Sequence, residues 1–238
     1  MNEKIIYLKD RKLINDFTLA MCFDYKNSGF TFEPGQYAKI TLLEPIHIDE
    51  EGNSRLFSMA SSPWNKETLM FTTRALDSAF NKNILELPLG SKASISEPGG
   101  NTVLHKDSSV PAVFIIGGIG ITPVRCMVEY ATESKQPYEM HLFYSNPVAK
   151  TMAFFDDFLK WEKENPHFKF HPTIDDKNDE NWKFDFGYIN EKMLKKHIKN
   201  FSKPIYYLVG PQVMVDTMND VLLKNRVIPD RIKLERFG

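Results

Sequence analysis

The chain is poor in cysteine and has no long hydrophobic run. Cys22 and Cys126 are the only cysteines among 238 residues, and they form no CxxC pair. Iron–sulfur clusters are usually held by four cysteines, so the sequence excludes a cluster bound by this chain alone. No segment reaches the roughly 20 apolar residues of a membrane-spanning helix. The N-terminal residues resemble no signal peptide, and two dispersed cysteines fit a reducing compartment, so we expect a cytoplasmic protein.

An excess of charge of one sign is also lacking. The chain has 30 Lys and Arg against 31 Asp and Glu, a formal net charge of -1 at pH 7. This balance provides no broad field for nucleic acid or an anionic membrane surface, so we expect neither as a partner. With 42% hydrophobic residues, a chain of this length can form one large or two small domains.

Up to about Leu104 the pattern is typical of β-structure. Short runs at 37–43, 69–74 and 92–96 are separated by turn signals rich in glycine, proline and asparagine. One short helix is predicted at 78–87. Many short strands with frequent turns predict a small antiparallel barrel.

After His105 the pattern alternates between strands and helices. Apolar runs at 112–116, 140–144 and 205–209 predict three strands, each followed by a stretch with helical spacing. This alternation predicts a parallel α/β sheet. The boundary is placed in the polar segment 106–111, which gives domains 1–107 and 108–238.

Two of these helices have specific expected features. Thr122 is predicted as the N-cap and Pro123 as the first residue of the first helix. The second helix is expected to bury one side, formed by Met152, Phe155, Phe158 and Leu159.

A glycine-rich loop, residues 117–123 (GGIGITP), joins the first of these strands to its helix. Glycines let backbone N–H groups approach a diphosphate, and the helix N-terminus adds partial positive charge. The loop departs from the GxGxxG fingerprint because Pro123 occupies the third glycine position. The alternative is a tight strand-to-helix turn that binds nothing.

The segment Arg55-Leu56-Phe57-Ser58 in the β half can also carry chemistry. An arginine can clamp a pyrophosphate, and an aromatic ring two residues on lies on the same face of a strand and can stack on a flat ring. Ser58 can hydrogen-bond a polar atom at that ring's edge. The alternative is an ordinary barrel strand with a surface arginine and a core phenylalanine.

These segments, in this order, resemble the ferredoxin–NADP reductase superfamily along nearly the whole chain. The FEPGQY segment at 32–37 is similar to the family's strand entry, and Arg55–Ser58 is similar to its Arg-x-Tyr-Ser flavin motif. The EPGG segment at 97–100 resembles the closing turn of its barrel. The resemblance extends to three further segments: the loop 117–123, the LVGP segment at 208–211 with Met214, and the tail at 235–237.

The resemblance implies a six-stranded FAD-binding barrel, an α/β domain that binds NADH or NADPH, and a flavin held between them. It implies catalytic roles for Ser58 near flavin N5, Thr122 near the nicotinamide, and Glu235 near the flavin. The implied cofactor-binding residues are Arg55, Leu56, Phe57, Ser58, Thr72, Thr73, Arg74, Asp77, Ser78, Ala79, Gly117, Gly118, Gly120, Thr122, Pro123, Ser145, Asn146, Gly210, Pro211, Met214 and Phe237.

The sequence departs from the family pattern at several positions. Phe57 stands where the family has tyrosine, and Val209 where many members have cysteine. The chain stops at Gly238, where many members continue to an aromatic residue that covers the flavin. Pro147 follows Ser145-Asn146 where members that use NADP often have arginine, which favours NADH slightly.

The resulting hypothesis is an FAD-containing, NAD(P)H-dependent reductase that passes electrons to a separate carrier such as ferredoxin or flavodoxin. Two alternatives stay open: a reductase of small acceptors such as free flavin, ferric chelates or quinones, and a non-catalytic FAD-bound subunit of a complex. No metal site is predicted. His167 and His171, four apart in a strand-like segment, are expected at the surface or in packing.

Overall fold

The computed structural model describes residues 3–237, which divide into two compact units. The N-terminal unit comprises residues up to 104 together with 122–130. The C-terminal unit comprises 105–121 and residues from 131 onward. A stretch of helix that follows the glycine-rich loop in sequence therefore belongs with the N-terminal unit. The boundary between 107 and 108 stays a prediction.

The N-terminal unit contains six antiparallel strands in the order β4-β3-β6-β1-β2-β5. The first and last strands of this order meet through a bridge between Met59 and Phe71, and the Ala60 amide donates to the Met70 carbonyl at 2.7 Å. This confirms the predicted antiparallel barrel-like sheet. The strands are β1 (Lys4–Asn15), β2 (Thr18–Asp24), β3 (Tyr37–Leu42), β4 (Ser54–Ser58), β5 (Thr68–Arg74) and β6 (Lys92–Ile95).

Helix α1 (Ala79–Glu86) lies against this sheet, within one residue at each end of its predicted range. Ser78 is its N-cap, and the serine side chain accepts from the Asn81 amide at 3.2 Å. Phe80 and Ile84 point into the barrel core and are at most 1% exposed. The guanidinium of Arg11 donates to the Ile84 carbonyl at 2.7 Å and so satisfies the other end of the helix.

The C-terminal unit contains six strands in the order β10-β9-β8-β7-β11-β12, all paired in parallel. This confirms the predicted parallel sheet. Every residue of β7 is buried, because this strand lies inside the sheet and is covered on both faces. The strands are β7 (Ala112–Gly117), β8 (Met140–Asn146), β9 (Phe168–Ile174), β10 (Asp185–Phe186), β11 (Ile205–Pro211) and β12 (Ile232–Phe237).

Four helices follow the strands of this half: α2 (Ile121–Glu133), α3 (Phe155–Glu164), α4 (Glu191–His197) and α5 (Gln212–Lys224). Residues 122–130 of α2 are the part assigned to the N-terminal unit. From β7 the chain progresses outward through β8, β9 and β10, then returns to β11 on the opposite side of β7. The strand order therefore reverses between β7 and β11, which defines the topological switch point of the sheet.

One predicted helix start is wrong, and one residue predicted in the buried side of a helix lies before that helix. Helix α2 begins at Ile121, directly after a 3₁₀ turn at Gly118–Gly120, so Thr122 lies in the first helical turn instead of at the N-cap. Helix α3 begins only at Phe155, after Phe154 with a left-handed φ of 61°. Met152 therefore lies outside the helix, although it is buried, because apolar spacing does not reveal a short turn before a helix.

Three histidines from three elements of the C-terminal unit form a column. His141 Nδ1 lies 3.1 Å from His171 Nε2, and the rings of His171 and His197 have centroids 3.9 Å apart. Burial, reinforced by the two neighbouring histidines and by Lys196 and Lys169, lowers the pKa of His171 to about 3. Glu139, 3.5 Å from His141 Nε2, is the carboxylate at the other end of the column.

The column predicts acid sensitivity of the C-terminal unit. His171 titrates near its ordinary value of 6.5 when unfolded, but burial moves its pKa to about 3 in the folded chain. The unfolded chain therefore binds more protons between these values, and stability falls as the pH falls. Between about pH 6.5 and pH 4.5 the free energy of unfolding should drop by about 2 kcal/mol through this residue.

Urea unfolding of the wild type and of His171→Gln at both pH values measures this effect. The His171→Gln variant should lose about 2 kcal/mol less stability on acidification than the wild type. His167→Gln changes an exposed histidine that lies outside the column, so this control should behave as the wild type. Equal acid losses in all three proteins would contradict the interpretation.

Candidate nucleotide and flavin site

The switch point of the parallel sheet lies at the carboxyl ends of β7 and β11. Gly117 ends β7, and Gly210 and Pro211 end β11. Open parallel sheets bind ligands beyond the carboxyl ends of their strands at such a point. The predicted residues Gly117, Gly118, Gly120, Gly210 and Pro211 are brought together here.

The glycines of the loop serve different purposes. A Cβ on Gly120 would lie 2.6 Å from the Val209 carbonyl oxygen, so this glycine lets the loop approach β11. A Cβ on Gly117 would lie 2.9 Å from the Met214 sulfur, which places the predicted Met214 against the loop. Gly118 has a left-handed φ of 55° and open space where a Cβ would stand. Packing therefore explains Gly117 and Gly120, and Gly118 is the position open to a ligand.

Tyr144 of β8 fixes this loop by a hydrogen bond, and no sequence motif marks this residue. Its buried hydroxyl donates to the Gly118 carbonyl at 3.2 Å and accepts from the Ala153 amide at 3.3 Å. Burial raises the pKa of Tyr144, so the hydroxyl stays protonated and able to donate. An aromatic residue in an apolar strand indicates only core, so no sequence signal could have revealed this role.

Two buried polar atoms lack hydrogen-bond partners at the same edge of the sheet. Asn146, the last residue of β8, is 4% exposed, and its Nδ2 has no partner among residues 3–237. Asp175, directly after β9, has a buried Oδ1 that also lacks one within this range, and burial raises the pKa of this carboxyl. Buried polar groups are nearly always satisfied, so an unpaired donor and acceptor at this edge suit a polar ligand.

The remaining predicted residues of the C-terminal unit flank this edge. Ser145 pairs with Gly117 in the register of β8 and β7. Glu235 and Phe237 lie on β12, opposite Val209 and Pro211 of β11. The predicted acidic-aromatic tail is thus the sixth strand of the parallel sheet, which extends the sheet beside the switch point.

Arg55 in β4 belongs to an anion-binding cluster of the N-terminal unit. Its Nη2 lies 3.2 Å from Asp49 Oδ1 and 2.8 Å from Glu51 Oε2, and its Nη1 donates to two carbonyls of the same loop and to the carbonyl of Ser54, the first residue of β4. The other oxygen of Asp49, Oδ2, accepts from the Ala79 amide at 3.0 Å. The predicted residues Arg55 and Ala79 therefore converge on one carboxylate.

Phe57 lies on the same face of β4 as Arg55. Its ring centroid is 5.3 Å from that of Phe80, and the Arg55 guanidinium lies 5.7 Å from the same ring. Phe57 also contacts the core ring of Phe71, at 6.3 Å, and is half-buried. Leu56 points the other way and is 65% exposed. Ser58 ends the strand, opposite Tyr37 of β3.

Helix residues 122–130 are attached to the barrel by polar contacts. The hydroxyls of Thr72 and Thr122 are 2.6 Å apart, and both side chains are 4% exposed. The Arg125 guanidinium donates to the Ala60 carbonyl at 2.8 Å, and the Ser62 amide donates to Glu129 at 2.6 Å. Thr122, followed by Pro123 in the same turn, is thus joined to the predicted Thr72, a contact 50 residues apart that spacing cannot reveal.

Other predicted residues of the N-terminal unit surround helix α1. Asp77 is exposed and pairs with Lys82 at 2.9 Å. Ser78 caps the helix, and the Arg74 carbonyl accepts from Asn81 at 2.8 Å. Thr73 pairs with Leu19 of β2.

Within residues 3–237 no group of three or more His, Cys, Asp or Glu side chains is arranged to hold a metal ion.

The donor sets fit the two groups that the resemblance implies. A guanidinium and a helix N-terminal amide are ligands for an anion such as a diphosphate. In this structure the Arg55 guanidinium and the Ala79 amide bind the Asp49 carboxylate. The edge at Gly118, with the unpaired atoms of Asn146 and Asp175, offers hydrogen bonds to a nucleotide.

None of the helices formed by residues 3–237 has the length and hydrophobicity needed to cross a membrane.

Comparison with known proteins shows which domain and which fold this chain resembles. Residues 114–220 match the family model described as the oxidoreductase NAD-binding domain. The FAD/NAD-binding domain of nitric oxide dioxygenase from Vibrio cholerae superposes with a TM-score of 0.82 at 17% identity, covering 100% of both chains. Ferredoxin–NADP+ reductase from Plasmodium falciparum superposes with a TM-score of 0.78 at 15% identity, covering 99% of this chain and 96% of that one.

The chain therefore has the fold of these FAD/NAD-binding oxidoreductases, and residues 114–220 are similar to an oxidoreductase NAD-binding domain. This confirms the predicted two-domain fold, and the match at 114–220 agrees with the predicted nicotinamide dinucleotide. Among curated proteins, the chain is similar to one subunit of the Na(+)-translocating NADH-quinone reductase of Haemophilus ducreyi, at 29% identity over 84% of this chain. The chain spans about half the length of the curated relatives it matches, 52% in this case.

Proposed function

We propose that this chain is an FAD-containing, NADH-dependent reductase that passes electrons to a separate acceptor. The observation that carries the proposal is the switch-point edge at β7 and β11, where the open Gly118 lies on the same sheet edge as the unpaired Asn146 and Asp175. The family model on 114–220 and the NADH in the relatives' name support a nicotinamide dinucleotide as the ligand of this edge.

Residues of the N-terminal unit would hold FAD. Arg55 and the Ala79 amide supply the donors for its diphosphate, and Phe57 offers an aromatic wall for the flavin ring. Ser58 and Thr122 are proposed near the reacting ring atoms, where a hydroxyl can donate or accept. When bound, FAD accepts two electrons from a nicotinamide and can release them one at a time.

Residues of the C-terminal unit would hold the dinucleotide. The loop at 117–120 is kept in place by Tyr144 and by the contact of Gly120 with β11, so its backbone is preorganised for a diphosphate. Asn146 and Asp175 supply a donor and an acceptor for ribose hydroxyls. Met214, packed on Gly117, shapes the apolar side of the edge.

Three candidate functions differ in the electron acceptor that the reduced flavin would serve. A soluble carrier such as ferredoxin or flavodoxin is the leading one, and small acceptors such as quinones or ferric chelates are the second. A role as the electron-entry component of a larger complex is favoured by the relatives, which are subunits of an NADH-quinone reductase and about twice as long.

Steady-state NADH oxidation by the FAD-loaded chain tests these candidates. We expect turnover with an artificial one-electron acceptor in every case, since each candidate requires reduction by NADH. Turnover with ferredoxin or flavodoxin identifies a carrier reductase, and turnover with a quinone or ferric chelate alone identifies a reductase of small acceptors. Failure of NADH and NADPH to support any turnover would contradict the proposed function.

Asp175 predicts a preference for NADH. A carboxylate at the end of a strand of this sheet can accept from ribose hydroxyls but repels the 2′-phosphate of NADPH. We expect kcat/KM for NADH to exceed that for NADPH by about 100-fold, since like charges side by side cost several kcal/mol. Asp175→Ser should lower this ratio at least tenfold, whereas Asp179→Ser, four residues on in the same loop, should leave it unchanged. A wild type that prefers NADPH would refute the assignment.

A further inference from the structure

The connection between β3 and β4, residues 43–53, is fastened along helix α1, and we call it the strap. Asn83, 1% exposed on α1, accepts through Oδ1 from the amides of Ile46 at 2.6 Å and His47 at 3.0 Å. His47 Nε2 lies 2.7 Å from Glu86 Oε2 near the other end of the helix. The strap is therefore attached to α1 through the His47 side chain and the backbone amides of residues 46 and 47.

Asp49 fastens the strap at the helix N-terminus. One carboxylate oxygen lies 3.2 Å from the Arg55 guanidinium, and the other accepts from the Ala79 amide at 3.0 Å. Desolvation opposes ionisation of Asp49, but the Ala79 amide and the Arg55 guanidinium outweigh it and lower the pKa of the carboxyl. Asp49 is thus an anion at neutral pH, held by a cation and a helix terminus together.

These are the donors that the proposed function assigns to the diphosphate of FAD. One guanidinium and one amide cannot serve the carboxylate and the diphosphate in the same positions, because both anions need the same N–H groups. Like charges at this distance would also repel one another. Occupancy by either anion therefore opposes occupancy by the other.

We propose that Asp49 is an internal competitor for the FAD diphosphate, so that the strap closes the flavin site when FAD is absent and is released from Arg55 and Ala79 when FAD binds. This inference rests on the proposed function. It makes the affinity for FAD depend on how completely the strap is closed. FAD binds only the open form, so the apparent affinity is the intrinsic affinity multiplied by the fraction of open molecules.

The strap also carries apolar residues that are exposed while it is closed. Ile46 and Ile48 alternate with the anchored His47 and Asp49, and they are 58% and 75% exposed. Release of the Asp49 contact frees the segment to move with these side chains. Hydrogen exchange in the strap is therefore a direct readout of the switch.

The decisive variant is Asp49→Asn, with Glu51→Gln as the matched control. Glu51 pairs with the same guanidinium but is 74% exposed and lies outside the hydrogen bond to the helix amide. Titration of the apoprotein with FAD, followed by flavin fluorescence, should give Asp49→Asn about tenfold higher affinity than the wild type, as expected when a closed form populated to ~90% is removed. Glu51→Gln should stay within about twofold.

A second measurement uses the unmodified chain, so the test does not depend on a variant folding well. Hydrogen exchange of the strap amides at 46–52 should become faster when FAD is added. Slower exchange, or weaker FAD binding by Asp49→Asn, would show that Asp49 positions Arg55 for the flavin and would overturn the proposal. Absence of FAD binding in wild type and both variants would instead refute the proposed function itself.

Discussion

Arg55→Ala should lose most of its bound FAD on purification. The guanidinium is the only side-chain cation assigned to the diphosphate, and hydrogen bonds to charged groups each contribute about 1.5–3 kcal/mol. Loss of about 3 kcal/mol corresponds to an affinity lower by about 100-fold. The ratio of flavin absorbance to protein absorbance after gel filtration, and a fluorescence titration of the apoprotein, measure this effect.

The control must separate loss of a flavin ligand from loss of a structural arginine. Arg11→Ala removes a half-buried guanidinium from the opposite end of helix α1, where it donates to the Ile84 and Leu87 carbonyls. This variant should lower the unfolding temperature and leave the FAD affinity within a few-fold of wild type. Arg55→Lys should recover only part of the affinity, because an ammonium cannot make a forked pair. Full flavin content in Arg55→Ala would refute the assignment of Arg55.

Gly120→Val should cost about 3 kcal/mol of folding stability or more, because even a Cβ there would stand 2.6 Å from the Val209 carbonyl oxygen. The obstacle is backbone, so the loop or β11 must move. Such a shift opens the switch-point edge, and the KM for NADH should rise with it. Urea unfolding and steady-state kinetics with NADH measure the two effects.

Gly118→Ala is the matched variant in the same loop. It adds a methyl group into open space at a left-handed φ of 55°, which costs only about 1 kcal/mol. Its stability should therefore stay within about 1 kcal/mol of wild type, while the KM for NADH should rise because the methyl group occupies the space proposed for the diphosphate. Equal stability losses in the two variants would contradict the interpretation that contact with β11 requires a glycine at position 120.

Much of the architecture follows from local sequence. The uninterrupted apolar run at Ala112–Ile116 predicts a strand covered on both faces, and each of its residues is buried. The helix at 78–87 is predictable nearly to the residue because Ser78 is a good N-cap. Alternating strands and helices predict the parallel sheet, since parallel strands require crossovers.

Features that depend on distant residues are not predictable in this way. Asp49 looks like any carboxylate in a polar loop, and its contact with Ala79, 30 residues on, exists only once the barrel brings the strap against α1. Thr72 and Thr122 meet across 50 residues, and the column of His141, His171 and His197 joins two strands and a helix. Periodicity describes one element at a time, whereas these contacts depend on how elements pack.

The site residues divide in the same way. Arg55, Phe57 and the glycines can be found from sequence because their motif order resembles a known superfamily. Tyr144 and Asp175 carry no motif, and their importance follows from hydrogen bonds made or missing. Asn146 is implied by the resemblance, but its unpaired Nδ2 is visible only in the structure. The fold itself is shared by proteins of different function, such as a nitric oxide dioxygenase and a ferredoxin–NADP+ reductase.

Anaerobic titration of the FAD-loaded chain with NADH tests the central claim most directly. We expect the visible flavin absorption to bleach in proportion to added NADH and to be complete near one equivalent per bound FAD, since both carry two electrons. A chain that takes up no FAD, or a bound flavin whose spectrum neither NADH nor NADPH changes, would contradict the account.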